Sequence, residues 1–150
     1  MGMELKVRPA QLNDAKRIWE IRNEPGSRAV AANQEIIPLS QHITWFKKKY
    51  FEQNGNFCFV GEINGKVVGY SRFDLEEDHY INSIAVSSSV HGRGIGTILL
   101  GKSIEQLKKD KPIRAEIRRY NLASVKIFER NGFKKISENK ENFYYQLLKS

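Results

Sequence analysis

Three glycines, Gly92, Gly94 and Gly96, occupy alternate positions in the segment VHGRGIGTILL, and an apolar run with helical spacing follows them. Glycine loses more conformational entropy on folding than any other residue, so three of them together need a reason. Backbone without side chains can turn several N–H groups towards an anion, and a helix N-terminus adds unpaired donors. The segment therefore predicts a phosphate-binding loop, with Arg93 as an additional positive charge. A flexible strand-to-helix turn is the alternative.

The spacing of the glycines excludes two common phosphate-binding motifs. It is Gly-x-Gly-x-Gly rather than the dinucleotide pattern Gly-x-Gly-x-x-Gly, and no acidic residue follows a second strand at the required distance. No Gly-Lys-Ser/Thr follows the loop, so it is not a P-loop either. Several charge-assisted hydrogen bonds of about 1.5–3 kcal/mol each would still hold a pyrophosphate.

A strand before the loop and a helix after it must position these glycines, and the sequence pattern predicts both. Strands are expected at Glu4–Arg8, Phe57–Ile63, Lys66–Leu75, Tyr80–Ser87, Ile113–Arg118, Phe133–Ser137 and Phe143–Leu148. Helices are expected at residues 14–23, 41–53, 97–109 and 121–130, with Asn13 and Ser40 as N-caps of the first two. Residues 26–38 look irregular, and Asn64-Gly65 predicts a type I′ hairpin. This order predicts an α+β fold with a mixed sheet, as one domain over residues 1–150.

The residues around the loop resemble motif A of the GNAT superfamily of acyl-CoA-dependent N-acyltransferases, Gln/Arg-x-x-Gly-x-Gly/Ala. His91 stands at the Gln/Arg position, and Gly94 and Gly96 match the glycines. The segment NLASVKIFERNGF resembles the family's second motif, and its matching residues are Asn121, Ser124, Phe128, Gly132 and Phe133. The predicted order of elements is also that of the family. The resemblance implies a GNAT-type central sheet of about seven strands flanked by about four helices.

The resemblance implies acetyl-CoA as the donor and no metal. The loop would bind the pyrophosphate, and the strand Ile84–Val86 would pair with the pantetheine arm. The residues implied for the donor site are Ile84, Ala85, Val86, His91, Gly92, Arg93, Gly94, Ile95, Gly96, Thr97, Asn121, Ser124 and Phe128. For Asn121 and Ser124, simple capping of a helix is the alternative.

Acetyl transfer from a thioester to an amine needs a neutral amine, an attack geometry and a donor for the oxyanion. A strand N–H near Val86 is the candidate donor. The family often protonates the leaving thiolate with a tyrosine of the second motif, but Phe128 stands there, and Tyr120 is one candidate substitute. Many members that modify proteins carry a glutamate that acts as the base, eleven residues before the Gln/Arg position of the motif. In this sequence that position is Tyr80.

The remaining candidates for the catalytic base are Glu116, Asp78 and His79. Glu116 alternates with apolar residues on a predicted strand, and a carboxylate on a sheet face can have a raised pKa. A salt bridge between Glu116 and Arg114 or Arg118 is the alternative. Asp78 and His79 precede the strand that leads to the glycine loop.

The segment IRNEPGSRAVAANQEIIPLSQHITWF resembles a GNAT subgroup that acetylates amino groups, often on amino sugars carried by nucleotides. The matching positions are Arg22, Asn23, Arg28, Asn33, His42 and Trp45. On this interpretation Arg28 would bind a phosphate or carboxylate and Trp45 would stack on a ring, with helix packing as the alternative for Trp45. Acetylation of ribosomal-protein N-termini stays open.

Composition limits the function classes. A net charge of +8 favours anionic partners, but the Lys and Arg residues are scattered, which argues against a nucleic-acid-binding module. No apolar run is long enough to span a membrane, and Cys58 alone excludes a disulfide framework. We expect a cytoplasmic monomer or homodimer that acts on a small-molecule amine. A GNAT fold that binds CoA without catalysis is a further possibility.

Overall fold

The computed structural model describes residues 4–30, 35–108 and 110–148. Seven strands form one sheet: β1 (Lys6–Pro9), β2 (Phe57–Ile63), β3 (Lys66–Glu76), β4 (His79–Val86), β5 (Ile113–Arg118), β6 (Lys134–Glu138) and β7 (Asn142–Leu147). The α-helices in the described part of the chain are α1 (Ala15–Arg22), α2 (Pro25–Val30), α3 (Leu39–Lys47), α4 (Ile95–Leu107) and α5 (Leu122–Arg130). The strand order is β1-β2-β3-β4-β5-β7-β6, with β4 and β5 parallel and the other neighbours antiparallel. The predicted mixed sheet is confirmed.

The hairpin between β2 and β3 has the predicted turn. Asn64 and Gly65 have φ values of +53° and +77°, and two consecutive positive values are what a type I′ turn requires. The turn fixes the register in which Ile63 pairs with Lys66. The two strands lie between β1 and β4 in the sheet.

Three local predictions in the N-terminal half are wrong. Residues 25–30 form α2, because Pro25 stands at the first helical position, where its missing N–H costs nothing. Asn13 does not cap α1: a 3₁₀ turn precedes the helix, and the Asp14 carboxylate accepts the Gln11 N–H at 2.7 Å. Ser40 lies inside α3, which begins at Leu39 after Pro38.

The two faces of the sheet have different cores. Helices α4 and α5 cover one face with a large apolar cluster that includes Phe73, Leu99, Leu100, Ile113 and Phe128. Helices α1 and α3 cover part of the other face with a smaller cluster that includes Ile18, Ile21, Phe46 and Val60. Cys58 belongs to the smaller cluster, where burial raises the pKa of its thiol to about 12. Its predicted place in the core is confirmed.

Candidate active site

A cleft opens in the sheet between β4 and β5. In the described part of the chain these strands pair at two positions, Tyr80 with Ile113 and Ile81 with Arg114, and the rest of β4 pairs with β3 alone. The Tyr80 N–H donates to the Pro112 carbonyl, on the β5 side. Because N–H groups alternate in direction along a strand, those of Ile84 and Val86 point into the cleft. An extended ligand arm would find main-chain partners along this edge.

The glycine loop lies at the open end of the cleft. Gly92 and Gly94 have φ values of +81° and +71°, and a Cβ atom added at either position would meet no described protein atom within 4 Å. Gly94 is the N-cap of the 13-residue helix α4, and its carbonyl accepts the Ile98 N–H at 3.3 Å. The preceding N–H groups, at residues 95–97, therefore have no helical acceptor. The loop and helix together can bind an anion.

Gly96 has a packing role that the sequence analysis missed. A Cβ atom there would lie 2.5 Å from Cδ1 of Ile127 on α5, so a larger residue would force the Ile127 side chain to move. Asn131 strengthens the same contact, since its Nδ2 donates to the Thr97 carbonyl at 3.2 Å. A short distance between α4 and α5 is not visible from the local sequence.

His91 holds the end of β4. Its ring Nε2 lies 2.8 Å from the Val86 carbonyl oxygen, and because a carbonyl can only accept, this nitrogen carries the proton. The side chain at the motif's Gln/Arg position thus closes the turn that leads from the cleft to the loop. Arg93 is exposed on that loop.

The second-motif residues lie on α5, and two of them have local roles. The Asn121 carbonyl oxygen Oδ1 accepts the Ser124 N–H at 3.2 Å, as the capping alternative predicted. Phe128 is 3% exposed and packs edge-on against Phe133, with ring centroids 5.0 Å apart. Phe128 is therefore a core residue in this structure and does not line the cleft.

Glu116 is well placed for catalysis. It lies on β5 beyond the segment paired with β4, and it faces away from the buried Ala115 and Ile117. Its Oε1 accepts a hydrogen bond from Asn142 Nδ2 at 3.2 Å. The salt-bridge alternative is not observed, because Arg114 donates to Gln146 and Arg118 donates to Glu141. The carboxylate is exposed, and its residue lies beyond the last pair between β4 and β5.

Asp78 and His79 do not fit the catalytic role expected for them. They lie at the start of β4, before the Tyr80–Ile81 segment whose pairing with β5 closes the cleft. At about 3.3 Å per residue, His79 is about 16 Å from Ile84 along the strand. The two side chains bond each other at 3.0 Å, and this hydrogen bond lowers the pKa of the exposed Asp78. The sequence could not show this, because the length of the β4–β5 pairing is a tertiary property.

Two residues predicted to bind the acceptor come together. The guanidinium carbon of Arg22 lies 4.7 Å from the centre of the Trp45 ring. Arg72 on β3 lies 5.2 Å from the same ring and was missed by the sequence analysis. The missed signal was the alternation of Tyr70, Arg72 and Asp74, which places three polar side chains on one face of β3.

The other predicted acceptor residues have different places. Asn23 accepts the Ile37 N–H at 3.2 Å, and Arg28 Nε donates to the Asn23 carbonyl at 3.1 Å. His42 is fully buried between Trp45 and Phe46 and cannot touch a ligand. Burial, assisted by the charge of Arg22, lowers the pKa of His42 to about 4, so the ring is neutral. Asn33 lies outside the described residues.

Two contacts tie the segment after α1 to the donor side of the cleft, and neither was predicted. The Glu24 carboxylate accepts the Ser88 N–H at 2.8 Å and the Ser87 hydroxyl at 3.1 Å, directly after β4. The Tyr120 hydroxyl donates to the Ala29 carbonyl at 2.8 Å. Tyr120 therefore braces α2, which does not favour it as a general acid.

None of the helices in residues 4–30, 35–108 and 110–148 is both long enough and apolar enough to cross a membrane. The same residues contain no group of three or more His, Cys, Asp or Glu side chains that could hold a metal ion.

The open cleft and the anion-binding loop define a protein that binds an extended, phosphate-bearing donor. A family model described as acetyltransferase (GNAT) family matches residues 15–133. The chain therefore belongs to this family. The expected enzyme class, an N-acetyltransferase that uses acetyl-CoA, and the expected fold are confirmed at this level.

Individual relatives are named as acetyltransferases of the same class. An N-alpha-acetyltransferase of Sulfurisphaera tokodaii is 26% identical over 151 residues, which cover 90% of this chain and 83% of the relative. The structure of yncA from Salmonella typhimurium with acetyl-CoA has a TM-score of 0.81 at 22% identity, covering 98% of this chain and 95% of that one. A ribosomal-protein-alanine N-acetyltransferase from Brucella melitensis has a TM-score of 0.80 at 22% identity, covering 95% and 99%. None of these three is named for a sugar-nucleotide acceptor.

Proposed function

We propose that this chain, acting as one domain over residues 1–150, transfers an acetyl group from acetyl-CoA to the primary amine of a small acceptor. The observation that carries the proposal is the continuity of the donor track. The anion-binding start of α4 leads directly into the open edge of β4, where the N–H groups of Ile84 and Val86 are available. A pyrophosphate at the loop would place a pantetheine arm along that edge.

The residues around the cleft supply the chemistry of the transfer. The Val86 N–H donates to the thioester carbonyl oxygen and stabilises the negative charge that develops there, an effect of about 3–4 kcal/mol. The amine attacks from the face of the sheet that carries Glu116, and this carboxylate takes the proton directly or through one water. The new C–N bond forms as the C–S bond breaks. Since Phe128 has no hydroxyl, the thiolate leaves as such or takes its proton from water.

For the acceptor we propose an amine that carries an anionic group, with a nucleotide-linked amino sugar as the sequence-based candidate. Arg28 supports this, because it has no carboxylate partner among the described residues and lies on α2, which borders the cleft. The net charge of +8 is also compatible with an anionic acceptor. A protein N-terminus is the second candidate, favoured by the N-alpha-acetyltransferase relative.

The experiment is incubation of the purified chain with labelled acetyl-CoA and three groups of amines: nucleotide-linked amino sugars, amino acids, and peptides with free N-termini. We expect label in the amine fraction, with UDP-linked amino sugars acetylated faster than peptides. Faster acetylation of peptides would transfer the acceptor assignment to protein N-termini. Binding of acetyl-CoA without transfer to any amine would instead support a CoA-binding fold without catalysis.

Two variants test the roles of residues in the same assay. Glu116→Gln removes the base but keeps the size of the side chain and a hydrogen bond with Asn142. We expect it to lower kcat by about 100-fold while the Kd for acetyl-CoA is unchanged. Glu105→Gln, on the exposed side of α4, removes the same charge away from the cleft and should leave kcat unchanged. An unchanged kcat in Glu116→Gln would exclude Glu116 as the base.

A further inference from the structure

Arg22 lines a narrow pocket against the α1 and α3 side of the sheet, whose interior has no room for a water molecule, so an anion would meet the partly exposed Arg22 side chain at the rim. The pocket is lined by aromatic and cationic side chains, chiefly Arg22, Trp45, Tyr50, Tyr70 and Arg72. Arg22 is partly buried and stacks over Trp45, which is the contact that supports its guanidinium group. Among the described residues no hydrogen bond or ion pair joins it to a carboxylate.

The carboxylate that pairs with Arg72, Asp74, already has its partners. Asp74 accepts Arg72 Nη1 at 2.6 Å and the Tyr50 hydroxyl at 2.7 Å, and Lys49 Nζ lies 3.3 Å away. Arg72 and Lys49 therefore share this carboxylate, and with the unpaired Arg22 the three cations and one carboxylate leave an excess of two positive charges. His42 beneath Trp45 is neutral and does not change this balance.

An uncompensated cation in such a place is costly for the folded protein. Burial lowers the pKa of Arg22, and the neighbouring charge of Arg72 lowers it further. The guanidinium group stays protonated nonetheless, because the ordinary pKa of arginine is far above neutral pH. Buried charges are normally paired, and a protein that keeps one unpaired loses stability where a ligand needs the charge.

We propose that Arg22, together with Trp45 and Arg72, binds an oxyanion of the acceptor, either a carboxylate or a phosphate. The role of this oxyanion in acetylation rests on the function proposed above, whereas its binding does not. Tyr70 and Arg72 pair with Ala85 and Ser83 of β4, whose other edge faces the cleft. Two strand spacings of about 4.8 Å separate the pocket from the cleft, so the amine and the oxyanion of the acceptor lie about 10 Å apart.

The binding experiment uses amines of matching length. The probes are 6-aminohexanoate and 5-aminopentyl phosphate, with the uncharged 6-aminohexanamide and 5-aminopentanol as their controls. Binding is followed at constant ionic strength through the NMR signal of the Trp45 indole N–H, in the presence of CoA. The variants are Arg22→Gln and, as a matched control on the same helix, Lys16→Gln, which removes an exposed charge.

We expect at least one charged probe to shift the Trp45 signal of the wild type and of Lys16→Gln with at least about tenfold higher affinity than its uncharged control. In Arg22→Gln this preference is lost. The probe with the larger preference tells whether the site takes a carboxylate or a phosphate. Equal affinity of charged and uncharged probes in the wild type, or an unchanged preference in Arg22→Gln, overturns the proposal.

Acetylation of the bound probe separates this proposal from the proposed function. If acetyl transfer occurs, Arg22→Gln should raise the KM of the charged probe without changing its kcat or the KM of acetyl-CoA, because the oxyanion does not react. A charge preference in the binding experiment without acetyl transfer to either probe would establish the anion site, and the acetyltransferase function would still be decided by the assay with the three groups of amines described above.

Discussion

Two partly buried arginines, Arg8 and Arg22, have opposite surroundings in this protein. Arg8 on β1 donates to Asp14 at 2.8 Å and to Glu62 at 2.7 Å, and its side chain is 22% exposed. Arg22 at the end of α1 stacks on Trp45 and has no carboxylate partner among the described residues. The hydrogen bond to Asp14 raises the pKa of Arg8, whereas burial lowers that of Arg22.

The difference separates a charge that serves the fold from one that is available to a ligand. Arg8 joins β1 to β2 and to the turn before α1, and its charge is neutralised twice. Arg22 lies beside a further cation, Arg72, over the strand next to the cleft. The number of carboxylate partners of each buried arginine therefore indicates the acceptor site better than the presence of a positive charge does.

The largest expected effect lies in the donor loop. It sets the scale for the smaller effects expected at the two arginine clusters, Arg8 with Asp14 and Glu62, and Arg22 with Trp45 and Arg72. Gly94→Val puts a side chain where the pyrophosphate is expected and forces a strained positive φ. We expect the Kd for acetyl-CoA, measured by calorimetry, to rise about 100-fold, which corresponds to about 3 kcal/mol. Equal affinity in a variant that is folded by circular dichroism would reject the donor-loop assignment.

The two arginine clusters should differ in how much they stabilise the fold. Arg8→Gln leaves Asp14 and Glu62 without their cation, so the free energy of unfolding should fall by about 2–3 kcal/mol. Arg22→Gln removes an unpaired, partly buried charge and should leave the free energy of unfolding unchanged or raise it. Urea unfolding of both variants measures the difference. A similar fall in the free energy of unfolding in both variants would show that Arg22 stabilises the fold as Arg8 does, which would contradict the distinction between them.

Acidification should affect the Arg22 region before the Arg8 region. His42 has a pKa of about 4 in the folded state, against its ordinary 6.5. The unfolded chain therefore binds a proton first, and about 2 kcal/mol of stability is lost between pH 7.5 and pH 5. Asp14 behaves differently, since burial raises its pKa but the bonds from Arg8 and Gln11 lower it more, to below 3.8.

The Asp14 contribution is consequently present at pH 5 and is lost only as the pH falls through its folded pKa. Urea unfolding of the wild type and of His42→Leu at pH 7.5 and pH 5 separates the two regions. The variant should lack the loss over this range, even if it is less stable at both values. A loss of the same size in His42→Leu would assign the acid sensitivity to another group.

The smallest expected effect is that of Phe128→Tyr. Phe128 is buried against Phe133, so a hydroxyl there would not reach a thiolate in the cleft. We expect kcat for acetyl transfer to change by less than about threefold, since proton supply to the thiolate does not depend on this position. A 100-fold rise in kcat, measured with the acceptor found in the assay above, would show that thiolate protonation limits the reaction.

Local signals predicted the parts of the fold that short segments decide. The Asn64-Gly65 turn, the alternation of Ile113–Arg118 and the glycine loop each specify their own backbone conformation. Pro25-Gly26 was misleading, because a proline that ends one helix can also begin the next.

The site was only partly predictable because it depends on long-range register. Glu116 and the Val86 N–H share the cleft since β4 and β5 separate after Ile81, which no local pattern reveals. The same separation excludes Asp78 from the cleft. Arg72 lies near Arg22 because β3 pairs with β2 and β4. The net charge of the sequence does not reveal that these two cations lie at the same aromatic ring.

The most direct test of the central claim, that the edge of β4 binds the donor arm, is residue-resolved amide hydrogen exchange with and without acetyl-CoA. The N–H groups of Ile84 and Val86 point into the cleft, whereas those of Ser83 and Ala85 bond to β3. The account predicts that acetyl-CoA slows exchange at Ile84 and Val86 and leaves Ser83 and Ala85 unchanged. Unchanged exchange at Ile84 and Val86 at saturating acetyl-CoA would contradict it.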